Sequence, residues 1–225
     1  MLLLAAPFVS AFGQETGADS ARSFGVLSPP PPERKEIHFL TNMWGANLAI
    51  STNGLGLGAF YRHEYSEDWA GFIDLTAYEA QDDNQVEYYD PYTGEEYVPG
   101  KINRFLVFPL MFGFERRMFA DDIIDNFRPF ITGGVGPTMI YVFPYDQEYF
   151  SALGSGHPVW TGAGFLGIGS YFGNPHGSVL GFNLRYYFVP HSGLPSMQAT
   201  DGSNAIYNKS QFGGFNIGLS FGAAN

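Results

Sequence analysis

A chain of 225 residues with a formal net charge of −11, only 15% charged residues and no cysteine excludes several classes at once. Phosphate binding needs clustered Lys and Arg, so nucleic acid is not an expected partner, and disulfides and thiolate metal centres are impossible. Aromatic residues reach 17% and glycines number 29, yet mean hydropathy is close to zero and no run of about eighteen apolar residues could form a spanning helix. A barrel with apolar side chains on alternate positions reconciles these facts, because a period of two is invisible to a hydropathy average.

The chain opens on a short apolar run, residues 2–12, closing with Ala11-Phe12-Gly13. This reads as an export signal over 1–13 with Gln14 as the mature start. The run is too short to span a bilayer and has no basic residues before it, so a buried apolar arm is the alternative. With no Cys after it, a lipoprotein anchor is ruled out. Residues 14–35 lose apolar periodicity and hold Pro29 to Pro32 in one block, which favours polyproline II and cannot donate to a ladder. We expect a periplasmic tether there, with the barrel occupying 36–225.

Eight strands are predicted, at 36–51, 54–65, 69–79, 102–118, 127–143, 159–172, 178–190 and 210–222, each long enough to cross a membrane when tilted. A turn of helix is allowed between Asp121 and Phe127. The predicted fold is all-β, an eight-stranded antiparallel up-and-down transmembrane barrel. Alternation assigns the faces. Leu55, Leu57, Ala59 and Tyr61 oppose Gly56, Gly58, Phe60, Arg62 and Glu64; Leu180, Phe182, Leu184, Tyr186 and Phe188 oppose Gly181, Asn183, Arg185 and Tyr187. The large apolar face suits lipid and the small or polar face a narrow lumen, although 127–143 and 159–172 alternate less cleanly. A soluble periplasmic ligand-binding barrel would need the reverse arrangement.

Links between predicted strands are short at 52–53 and 66–68, long at 80–101, moderate at 119–126, long at 144–158, short at 173–177 and long at 191–209. Outer-membrane barrels carry their longer loops outside. A periplasmic N-terminus places the first, third, fifth and seventh links outside, and three of these are the longest. The exceptions are Ser51-Thr52-Asn53-Gly54, whose Asn-Gly pair signals a two-residue turn, and the eight-residue inner link at 119–126.

Several segments resemble the small outer-membrane β-barrels, porin-like or outer-membrane-protein-A-type, of the Bacteroidetes group and its relatives. They are Phe108-Pro109-Leu110-Met111-Phe112-Gly113, Arg128-Pro129-Phe130-Ile131-Thr132-Gly133-Gly134-Val135-Gly136 and Gly181-Phe182-Asn183-Leu184-Arg185-Tyr186-Tyr187. Phe221 is similar to the aromatic end-signal read by barrel-assembly machinery, though it lies four residues from the C-terminus. The resemblance covers roughly 36–222 and implies an outer-membrane address and a fold, without chemistry.

Among residues that could do chemistry, Arg62, Glu64, Asp74, Glu115 and Arg185 fall on the predicted inner face. An eight-stranded lumen is just wide enough for side chains to fill, and buried charges need partners, so a salt-bridged plug is expected, with a narrow ion path as the rival. The 81–100 loop carries Asp82, Asp83, Glu87, Asp90, Glu95 and Glu96 among Tyr88, Tyr89, Tyr92 and Tyr97. Its spacing does not match a calcium loop, and a solvated acidic segment is favoured. Tyr88, Tyr89, Asp90, Tyr92 and Tyr97 form the candidate extracellular contact loop, since Tyr combines apolar area with a polar tip. His38, His63, His157, His176 and His191 show no metal-ligand spacing, so no metal site or cofactor is expected. His191-Ser192 could mimic part of a lipid-cleaving Ser/His/acid set, but nothing supplies the third group that orients the base. Gly133-Gly134-Val135-Gly136 lacks the following helix and Lys of a phosphate loop and instead allows close packing in a narrow barrel. The expected function is therefore non-enzymatic: an outer-membrane anchor, scaffold or surface-binding subunit, whose partners are membrane lipid and a protein of an envelope complex. A lipid-modifying enzyme is the alternative.

Overall fold

Alternation of large apolar with small or polar residues produces strands wherever it was read in the sequence. The computed structural model describes residues 42–82, 85–92, 94, 96–120, 127–173 and 177–224. The expected signal, the tether, residues 36–41, the allowed helical turn at 121–126, His38 and His176 lie outside these. In chain order the elements are β1 (Asn42–Ser51), β2 (Gly54–Glu64), β3 (Trp69–Ala80), β4 (Tyr88–Tyr89), β5 (Glu96–Tyr97), β6 (Asn103–Arg117), β7 (Phe127–Pro144), α1 (Tyr149–Leu153), β8 (His157–Gly173), β9 (Ser178–Phe188), β10 (Pro190–Gln198), β11 (Ile206–Gln211) and β12 (Gly214–Ala224).

Eight of them close into one antiparallel barrel in the order β1-β12-β9-β8-β7-β6-β3-β2. This is the predicted up-and-down fold, with bounds shifted by few residues. The largest shift is at the last strand, because Ser210 and Gln211 belong to a separate β10–β11 hairpin. The Ser51–Gly54 turn has the expected two-residue link at 52–53. Ser51 pairs with Gly54, so Thr52 and Asn53 form the tip, and Gly54 takes the positive φ of 120°.

Closure carries a stagger. Following paired residues from Trp69 through Arg116, Ile131, Ile168, Leu184, Ile217, Ile50 and Leu55 leads back to β3 one step beyond the Gly56–Tyr78 pair, ten residues above the start. Such a shear tilts the strands by about 40°. On β6, five outward apolar residues, Leu106, Phe108, Leu110, Phe112 and Phe114, lie between outward Arg104 and Arg116. At about 3.3 Å rise per residue and this tilt, the two arginines are roughly 30 Å apart along the barrel axis, enough to bracket an apolar band of about 25 Å.

The outward face is apolar all round: Leu55, Leu57, Ile73, Leu184, Ile217 and Phe221 are among its exposed side chains. All three tryptophans are exposed on it, Trp44 and Trp69 at the end bearing the short links and Trp160 near the end bearing the long ones. Aromatic girdles at both rims of an apolar band mark a wall that faces lipid. A soluble barrel has the opposite arrangement.

The lumen is more aromatic than its sequence reading of small, polar and charged residues. Phe72, Phe130, Phe165 and Tyr171 are buried inside, and inward glycines on neighbouring strands make room for their rings. A Cβ on Gly113 would lie 2.5 Å from Phe72 Cζ, and one on Gly169 would lie 2.5 Å from Phe130 Cζ. Large rings packed over missing side chains fill a narrow bore without strain. The irregular alternation in β7 and β8 follows from this pairing of aromatics with glycines.

Candidate functional site

The inner face of each strand aims its polar residues at the barrel axis, and the stagger decides which of them meet. Arg62 on β2 donates from Nε to Glu115 Oε2 at 2.5 Å and from Nη1 to Glu64 Oε1 at 2.7 Å. The Tyr171 hydroxyl donates to the other Glu115 oxygen at 3.1 Å, and its ring lies 5.2 Å below the Arg62 guanidinium. One layer further from the short-link end, Asp74 accepts from Asn47 Nδ2 at 2.8 Å, from Arg185 Nη1 at 2.9 Å and from Thr76 Oγ1 at 2.8 Å. Arg185 also donates to the Tyr187 hydroxyl at 3.2 Å and sits 4.9 Å from the Phe165 ring centre.

The five charged residues singled out in the sequence thus fall into two rungs, Arg62–Glu64–Glu115 and Asp74–Arg185. Asn47, Thr76, Tyr171 and Tyr187 complete the rungs and were missed by a reading that followed charge alone. Their inward parity was the available signal. The void beside the second rung, lined by Asn47, Thr76, Asn183, Arg185, Tyr187 and Asn216, measures about 10 Å³, room for roughly one water. Toward the long-link end the polar layers give way to an apolar cap built on Tyr78, Phe105, Val107, Ile140, Leu194 and Phe212. Toward the other end Met43, Phe60, Phe130 and Val179 pack together inside the bore.

Above the cap the three long links are tied together. The β10–β11 hairpin accepts from the Ile102 amide at Ser196 O (2.8 Å), and its Gln198 amide donates to Gly100 O (2.6 Å). The Val98 amide donates to the Tyr145 hydroxyl at 3.1 Å, and the Tyr145 amide to Ile102 O at 2.9 Å. Asn53 at the short turn donates to Gly213 O at 3.1 Å. Lys101 lies 5.1 Å from the Tyr145 ring centre; burial holds its ammonium below the usual lysine range, against the pull of Glu79.

From this platform β4 and β5 project as a two-stranded ribbon. Tyr88 pairs with Tyr97, and their rings stack with centroids 6.1 Å apart. Tyr89 is exposed and Tyr92 is 96% exposed. Asp90 accepts from the Tyr92 amide at 2.8 Å through its carboxylate and from the Gly94 amide through its carbonyl, so it shapes the turn that presents Tyr92. Among the described residues no group of three or more His, Asp or Glu is placed to hold a metal ion.

The hydrolase alternative finds no geometry among the described residues. His191 accepts the Gly193 amide at Nδ1 (3.2 Å) and sets its ring against Phe212. These contacts are those of a loop residue on an apolar cap, and no Ser192 hydroxyl contact to His191 accompanies them.

No family model matches the sequence and no curated protein matches it. Solved structures similar to this chain include Neisserial surface protein A, at 10% identity over 80% of this chain and 91% of that one, with a TM-score of 0.45. The outer membrane protein OprG from Pseudomonas aeruginosa matches at 13% identity over 83% and 96%, with a TM-score of 0.47. Ail, the attachment invasion locus protein of Yersinia pestis, matches at 12% identity over 81% and 94%, with a TM-score of 0.37. The chain has the architecture of a small outer-membrane β-barrel, a closed eight-stranded wall with an apolar exterior.

Proposed function

We propose that this protein is a non-enzymatic integral outer-membrane barrel that works through its long loops, as an anchor, scaffold or surface-binding subunit. The observation that carries the reading is the lumen. Among the described residues, two ion-paired rungs and an apolar cap occupy the bore and the void beside the second rung is about 10 Å³, which supports a closed lumen and a barrel that serves as a rigid mount. What the mount presents is the tyrosine ribbon of β4 and β5, with Tyr92 at its tip. Exposed Tyr on a fixed backbone gives contact area at low entropic cost. The length of these links supports an orientation with the ribbon at the cell surface, and an envelope protein is the partner class that its acidic, aromatic composition suits.

Photo-crosslinking tests this. A crosslinker placed at Asn208, on the platform, is expected to capture a defined partner in intact envelopes. Replacing Tyr88, Tyr89, Tyr92 and Tyr97 by Ser should reduce that capture by about tenfold, the loss of roughly 1.4 kcal/mol of binding, while the barrel keeps its heat-modifiable gel mobility. Equal capture by the serine variant would remove the ribbon from the binding surface.

A further inference from the structure

Tyr145 joins the link between β7 and β8 to the platform, but α1, further along the link, docks on side chains of outward parity. Tyr141 on β7 points to the exterior, and its hydroxyl donates to Leu153 O of α1 at 2.5 Å. Phe143, two residues on and also outward, is buried under α1, with the Tyr149 ring edge-on at 5.4 Å. Arg104, the outward residue that ends the apolar row of β6, lies 4.4 Å from the Tyr145 ring centre and 5.4 Å from that of Tyr149, and donates to Gln147 O at 3.3 Å. The one-turn helix is therefore clamped to the outside of the wall at the upper end of the apolar belt.

That placement explains an otherwise costly side chain. Phe150 is 81% exposed on α1, and Trp160, 65% exposed, stands on the adjoining β8 opposite Met139, two residues below Tyr141. A phenylalanine on a loop surface in water gains nothing, whereas at the headgroup level of a bilayer its ring is buried. We propose that α1 is a foot that rests on the outer leaflet, with Phe150 inserted into the lipid interface beside Trp160. The occupant is the lipid surface, because Phe150 continues the apolar belt and Trp160 belongs to its girdle. The helical part of the β7–β8 link is thereby committed to the membrane. This rests on the reading of the chain as a membrane barrel with its long links outside.

The chain holds no cysteine, so single-site labelling is unambiguous. The full-length protein would be prepared as Phe150→Cys, Tyr92→Cys and Leu57→Cys, each labelled with an environment-sensitive fluorophore in phosphatidylcholine vesicles. Nitroxide on shallow lipid positions and aqueous iodide serve as quenchers. Iodide quenching at position 150 is expected to be about fivefold weaker than at 92, with strong quenching by the shallow nitroxide lipid, as befits a residue seated at the interface. Position 57, on the belt, reports the barrel itself and should be quenched by lipid alone. Iodide quenching at 150 equal to that at 92, with 57 lipid-quenched, overturns the foot while leaving the barrel intact. Aqueous quenching at 57 overturns both.

Discussion

Replacing Asp74 by Leu is expected to lower the unfolding free energy of the barrel by about 3–5 kcal/mol, the range for removing one partner of a buried ion pair. Asp74 accepts three hydrogen bonds, from Asn47, Thr76 and Arg185, and the substitution orphans all three donors. Arg185 is the costliest of them. Its guanidinium is buried in the lumen and would keep only the Tyr187 hydroxyl and the Phe165 and Phe72 rings. The paired change Asp74→Leu with Arg185→Met removes both charges and should restore about half or more of the loss, since uncharged replacement of a whole buried pair is often neutral. Urea unfolding of refolded barrels, followed by gel mobility, measures each value. If the double variant is as unstable as the sum of the singles, the rung is not acting as a coupled unit.

Truncating Phe212 to Ala is expected to cost about 3–5 kcal/mol, the range for deleting a buried aromatic ring. The ring is fully buried in the cap, edge-on to Phe105 at 5.1 Å, and Lys209 Nζ lies 5.8 Å from its centre. It also locks the β10–β11 hairpin down, because Leu194 packs in the same cluster. The backbone bonds of Phe212, to Val189 O through its amide and from Tyr78 through its carbonyl, survive the change. The loss should therefore appear first in the hairpin. Protease added from the loop side should cut within 190–211 faster than in the wild type, while the transmembrane strands stay protected. Unchanged cleavage with unchanged stability would mean that the cap does not depend on this ring.

The strands were legible because their period of two is enforced by two different solvents, lipid outside and a filled lumen inside. Leu180 to Phe188 shows the rule without exception, and its observed strand, Ser178–Phe188, alternates exposed and buried throughout. Charge placement in the lumen was legible by parity, since Arg62 and Glu115 each sit on an inward position. Which charge meets which was not, because it depends on a ten-residue stagger that no single strand contains. The β10–β11 hairpin was hidden by Gly193 and Pro195, which read as loop residues, although the hairpin tolerates them through register shifts between its pairs. The docking of α1 was hidden for a different reason. Arg104, Tyr141 and Phe143 have outward parity, and that parity looks the same whether lipid or a folded-back loop covers the side chain.

The most direct test of the central claim is the conductance of the full-length protein in planar bilayers. A barrel whose bore is filled by the Arg62–Glu115 and Asp74–Arg185 rungs and capped by Phe105 and Phe212 should give no stepwise current above the lipid baseline. Discrete steps whose size or ion selectivity changes when Arg62 or Asp74 is neutralised would contradict it, because they would make the rungs the lining of a path.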